Sequence, residues 1–169
     1  YSEKELVLDV AKRLKDLIES ELGAEVVMTR SDDTFVPLES RTVMANQQQA
    51  DLFLSIHANS SRVRSVRGVE TYFLDFTSTE DGLETASREN AASERSIHEL
   101  QDLVKKIMLR DKVDESRELA QHIDRALAAR KGSGMDRGVK RAPFVVLIGA
   151  NMPSILAEIC FISNPQDEK

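Results

Sequence analysis

The sequence predicts an α/β fold, a single domain of 169 residues with a mainly parallel twisted sheet flanked by helices and carrying a helical insertion. Three observations carry that expectation. Segments of helical and strand-like periodicity follow one another along most of the chain. One strand, Leu52-Phe53-Leu54-Ser55-Ile56, is almost continuously apolar, as strands covered on both faces of a parallel sheet are. Between 79 and 131 the character changes to charged helical sequence, with no proline and no glycine between Gly82 and Gly132.

Each element has its own signal. Leu6, Val7, Val10, Leu14, Leu17, Ile18 and Leu22 recur at three- and four-residue steps and predict an amphipathic helix over 3–22. Gly23 stands where a helix end favours a left-handed residue. Val26-Val27-Met28 reads as a short buried strand, and 30–37 as a polar loop. A second helix is expected over 38–49, with Leu38, Val43 and Met44 facing inward. After the 52–56 strand, Val69 to Leu74 is the next, entered through Gly68. Two stripes, Ile97 to Met108 and Leu119 to Leu127, predict helices over 85–110 and 115–130 with a break at 111–114. Phe144 to Ile148 reads as a strand, Asn151-Met152-Pro153 as a turn, and Ile155 to Phe161 as the last strand.

Composition removes several function classes. With 29 acidic against 23 basic residues the net charge is −6, which disfavours a general nucleic-acid binder and an unassisted anionic-membrane binder. No apolar run approaches the roughly 20 residues of a membrane span. The single cysteine, Cys160, excludes an intrachain disulfide framework and a cysteine-rich zinc site. No glycine-rich phosphate loop follows a strand.

Three residues stand out chemically. His57 ends a buried strand and precedes the small polar loop Ala58-Asn59-Ser60-Ser61, and carboxyl ends of strands are where open α/β sheets gather ligands. The other histidines, His98 and His122, lie in charged helical stretches and read as structural or solvated. Glu158 interrupts the apolar strand Ser154 to Phe161; it is either a strand-end residue facing water or a general base whose pKa burial has raised. Glu3 is either a helix-dipole partner or a ligand. One histidine and two glutamates suit a zinc hydrolase, in which zinc takes three protein ligands and keeps a place for water. Glu70 reads as a solvent-facing strand residue.

The chain also resembles a known family. Glu3-Lys4 with Leu6 to Ala11, Arg30 with Pro37-Leu38 and Arg41, Ala50 to Asn59, Gly68 to Tyr72, Gly138-Val139-Lys140, Pro143 to Leu147, Met152-Pro153 and Leu156 to Asn164 are similar to the zinc-dependent N-acetylmuramoyl-L-alanine amidases. The resemblance covers nearly everything outside 79–131. It implies a peptidoglycan hydrolase that cuts the amide between N-acetylmuramic acid and the L-alanine of the stem peptide. It makes Glu3 and His57 zinc ligands and Glu158 the catalytic acid/base, with Asn59 orienting His57, touching substrate or shaping a turn. The family's first zinc ligand is a histidine in a glycine-rich loop ahead of the position of Glu3. With no signal peptide at Tyr1, that strand and loop are expected upstream in the native protein, and export to the periplasm or cell envelope follows from the substrate.

Related amidases of cell division carry a helical insertion that blocks the zinc cleft until an activator withdraws it. The resemblance makes 79–131 the candidate here, with Glu89 and Glu94 as possible inhibitory zinc ligands and the apolar stripe as the place where an activator protein would bind; an ordinary charged surface helix is the alternative. For the whole domain the alternative is an amidase-like module that binds peptidoglycan without cutting it.

Overall fold

The computed structural model describes residues 2–77, 80–93, 110–131 and 135–167. Helix α1 (Glu3–Leu22) is bounded as its periodicity predicts, and Gly23 closes it at φ 64°. Its start is fixed locally, because the Glu5 carboxylate accepts from both the backbone N–H and the hydroxyl of Ser2. Helix α2 (Leu38–Gln47) follows, then strands β1 (Phe53–Asn59) and β2 (Val69–Leu74). Helix α3 (Glu80–Glu89) runs into a 3-10 turn, Asn90–Ala92. Helix α4 (Arg110–Lys131), strand β3 (Asp136–Ala142), a 3-10 turn at Val145–Leu147 and strand β4 (Ser154–Phe161) complete the described elements.

The strands form one sheet in the order β1-β4-β2-β3. β1 pairs with β4 and β2 with β3 in parallel, while β2 and β4 are antiparallel, so two of the three pairings are parallel. On one face Tyr72 and Leu156 pack with Leu38, Ala45, Phe144, Val145 and Leu147. On the other, Phe73 and Ile155 meet Ala120 and its neighbours on α4. α1 lies beside β1. Gly68 enters β2 at φ 115°, where a Cβ would sit 2.2 Å from the Met135 carbonyl oxygen, so only glycine fits beside that crossing. Among the described residues no helix is long and apolar enough to cross a membrane.

Several expectations need correction. Val26-Val27-Met28 is not a strand: the Val26 N–H goes to Glu19 and its carbonyl accepts from Lys15, so helix side chains take the bonds a strand neighbour would make. The inner face of α2 is Leu38, Thr42 and Ala45, while Val43 is half exposed. There is no break at 111–114, because α4 runs through it. The expected 85–110 helix begins earlier, at Glu80, and ends at Glu89; 94–109, with the Ile97 to Met108 stripe, lies outside the described residues. Phe144 to Ile148 folds as a 3-10 turn, since a short, fully buried apolar run has no periodicity to separate strand from helix. The strand that replaces it, β3, is highly charged, as edge strands often are, and carries no apolar alternation.

Candidate metal centre and catalytic row

Strand register builds the site. His57 on β1 is the partner of Glu158 on β4, and Glu158 is the partner of Glu70 on β2. Neighbouring residues across a sheet share a face, so the three form one row. The next row holds Ser55, Leu156, Tyr72 and Lys140. Its polar members support the first row from behind.

At the His57 end three elements converge. The imidazole Nε2 lies 3.0 Å from the Ser55 hydroxyl, two residues back on the same face of β1. Nδ1 is left for carboxylates. Glu3 Oε1, from the first turn of α1, is 3.2 Å away and also accepts the Ala58 backbone N–H at 3.2 Å. Glu89 Oε2, from the last residue of α3, is 2.9 Å from the same nitrogen. Burial alone would lower the His57 pKa, but the two carboxylates overcome it and raise it to about 10. Burial works against Glu3 ionising, yet His57 and the Ala58 N–H hold it below the usual carboxylate range.

α3 is tied down around Glu89. Arg88 donates to Asn59 Oδ1 at 2.6 Å and to the Ser60 carbonyl. The Asn90 amide donates to the Pro143 carbonyl and accepts the Val145 N–H, both at 2.8 Å. These bonds fix the end of the helix and so aim Glu89.

Glu158 is 0% exposed, and neither carboxylate oxygen has a hydrogen-bond partner among the described residues. Desolvation pushes its pKa up to about 8; His57 opposes, while Glu89, Glu3 and Glu70 add to the rise. An orphaned buried carboxylate is costly, and such groups cluster where protons move. The strand-end, water-facing reading of this residue is therefore excluded.

Glu70 corrects the sequence reading outright: it is buried at 2% exposure rather than solvent-facing. Its carboxylate accepts from Arg137 Nε, from Lys140 Nζ at 2.9 Å, from the Tyr72 hydroxyl at 2.6 Å and from Asn59 Nδ2 at 3.4 Å. Burial would raise its pKa, but Arg137, Tyr72 and Lys140 bring it below the ordinary value. Asn59 is buried between Glu70 and Arg88 and has no bond to His57, so it does not orient the imidazole. Glu94 lies outside the described residues. Ser55 and Tyr72 were legible only through the two-residue alternation Ser55-Ile56-His57 and Glu70-Thr71-Tyr72, which puts each beside a charged residue of the same face.

Glu3, His57 and Glu89 form a cluster whose donor atoms all lie within 4.8 Å of one another. One imidazole nitrogen and two carboxylates are a donor set that suits zinc. The unpartnered Glu158 stands beside them, in register with His57.

The profile of the N-acetylmuramoyl-L-alanine amidases matches residues 1–169. The chain belongs to this family. It is 32% identical over 182 residues to the amidase AmiC of Escherichia coli, covering 99% of this chain and 42% of that protein. It is 38% identical over 165 residues to the amidase LytC of Bacillus subtilis, covering 98% of this chain and 26% of that protein. The chain thus spans less than half the length of either relative. The crystal structure of an N-acetylmuramoyl-L-alanine amidase from Clostridium difficile 630 superposes with a TM-score of 0.71 at 29% identity, over 99% of this chain and 72% of that one.

Proposed function

We infer that this amidase-family chain is the catalytic part of a peptidoglycan hydrolase that cuts the amide between N-acetylmuramic acid and the L-alanine of the stem peptide. The observation that carries the reading is the buried, unpartnered Glu158 in register with His57. Glu3 and His57 would hold zinc, with Glu89 as a third donor in the geometry seen here. When bound, zinc supplies Lewis acidity that polarises the scissile carbonyl and lowers the pKa of water. Ser55 orients His57 through Nε2, as outer partners of metal-binding histidines do. Glu158 takes the proton of the attacking water and returns it to the departing L-alanine nitrogen. Its burial supports that role, since a carboxyl with a pKa near neutrality can do both. A module that only binds would have no use for an unpaired carboxylate in that place.

Glu89 gives the reading a regulatory half. Its carboxylate stands 2.9 Å from His57 Nδ1, the end of the row to which, on this reading, the reacting amide would have to come. We read α3 as a plug, held by Arg88 and Asn90, that an activator protein would withdraw by binding the 79–131 insertion. An activator can shift that balance only by as much as it prefers the withdrawn state. A peptidoglycan substrate would call for work in the periplasm or cell envelope, and the name of a Staphylococcus aureus relative, a probable cell wall amidase, supports that reading.

The test is release of stem peptides from purified peptidoglycan with zinc supplied. Glu158→Gln should keep zinc and lose about 10²–10⁴ in rate, and His57→Ala should lose both. Near-normal turnover by Glu158→Gln would refute the assignment. Glu89→Ala should raise basal turnover; an unchanged basal rate in a folded variant would reduce α3 to an ordinary surface helix.

A further inference from the structure

The catalytic row does not stop at Glu158. One strand further on, the Glu70 carboxylate faces two cations, Arg137 and Lys140, both from β3. One negative charge against two positive leaves a surplus positive charge. It sits at the rim, since the Arg137 side chain is 33% exposed and that of Lys140 19%. Arg137 turns only Nε toward Glu70, and its guanidinium lies over the Phe161 ring at 5.3 Å. The Nη1 and Nη2 groups have no protein acceptor among the described residues. A guanidinium fixed along one edge and stacked on a ring presents its other edge as a rigid pair of donors, which matches a carboxylate.

The order of the row gives this edge a direction. On the amidase reading, on which this inference rests, the scissile carbonyl faces the Glu3 and His57 end and the departing nitrogen faces Glu158. The peptide beyond that nitrogen must then run over β2 toward β3. Arg137 lies about two strand spacings, roughly 10 Å, from Glu158. An extended peptide advances about 3.3–3.6 Å per residue, so the second residue of the leaving peptide comes within reach of the arginine side chain. We propose that Arg137, locked in place by Glu70, is a specificity residue that binds a free carboxylate on the second residue of the peptide leaving group. Glu70 is a positioning residue: it touches no substrate and acts by holding Arg137. Tyr72 and Asn59 hold Glu70 in turn.

The experiment compares two muramoyl peptides that differ only at the α-carboxyl of the second residue, free in one and amidated in the other. Binding is measured by calorimetry on the chain carrying Glu89→Ala and Glu158→Gln, and kcat and KM on the Glu89→Ala chain, so that the α3 plug competes with neither peptide. The free acid should bind about 10- to 100-fold more tightly, the span expected for hydrogen bonds to a charged group. Arg137→Gln should abolish that preference by weakening the free acid alone, acting on KM rather than kcat, and Arg137→Lys should restore part of it. Glu70→Gln should narrow the preference in the same direction. The ratio between the two peptides is internal to each variant, so a general loss of stability does not mimic it. Equal affinity of the Glu89→Ala background for both peptides, binding of neither by it, or an equal loss of both on adding Arg137→Gln overturns the proposal. A chain that shows the preference and cuts neither peptide counts against the amidase reading and leaves this one standing.

Discussion

Glu158 and Glu70 are neighbours on adjacent strands, share one face of the sheet and are almost completely buried, yet they are opposite chemical objects. Glu70 has four donors around its two oxygens; Glu158 has none among the described residues. The first is held ionised below its ordinary pKa; the second is pushed up to about 8. Desolvation acts on both, and the difference lies in what answers it. A carboxylate whose lone pairs are filled is a fixed strut between strands. One left bare can gain or lose a proton without breaking any bond of the fold. The domain thus places a filled carboxylate and a bare one within a single row of side chains, support beside the group to which the proposed function gives the chemistry.

Unfolding measurements on the zinc-free chain can break that comparison. Removing the strut should be the larger effect. Glu70→Gln leaves two cations facing an amide and should cost about 2–3 kcal/mol, at or below the low end for breaking buried pairs because Arg137 and Lys140 keep some contact with water. With its pKa pushed up to about 8, the Glu158 carboxyl is mostly protonated at neutral pH, so Glu158→Gln exchanges one neutral, unpartnered group for another of the same shape, and stability should stay within about 1 kcal/mol of the parent or rise. Denaturant midpoints at neutral pH give both values. If Glu158→Gln proves the more damaging of the two, an unseen partner must hold Glu158 and the contrast collapses.

Much of this was legible in the sequence, and the failures share a cause. α1 follows from its helical periodicity and β1, β2 and β4 from short apolar runs, but the cover expected on both faces of the 52–56 strand fails at Leu52 and Leu54, which are 56% and 36% exposed. His57 and Glu158 stood out because each interrupts or ends an apolar strand. Glu89 entered through the resemblance, and the structure brings it to His57 Nδ1. Glu70 was misread because a glutamate in an alternating strand looks the same whether it faces water or two cations. Those cations lie 67 and 70 positions further on, in a strand with no apolar alternation to announce it. The error at 144–148 is similar: an unbroken apolar run reports burial and not conformation.

A third buried acid sharpens the contrast with a smaller effect. Asp124 on α4 packs against the opposite face of the sheet at 4% exposure, and accepts one hydrogen bond, from the Thr71 hydroxyl at 3.2 Å. With one donor it should fall between Glu70 and Glu158, and it does: burial, with the carboxylates of Asp136 and Glu70 adding, raises its pKa to about 6 against the Thr71 bond. The ordinary value is 3.8, so between pH 4 and 6 the folded chain holds this proton more tightly than the unfolded one. Stability from this group is therefore fully present below about pH 4 and is lost as pH rises through 6. Two pKa units correspond to about 3 kcal/mol, and a realised loss of about 1–2 kcal/mol allows for solvent near the exposed Asp136. Asp124→Asn keeps an oxygen for Thr71 and cannot titrate. It should unfold at higher denaturant than the parent at pH 7, with the advantage shrinking to nothing near pH 4. An advantage that does not change with pH would mean that Asp124 is ionised throughout, and that a single hydroxyl is enough to turn a bare carboxyl into a strut.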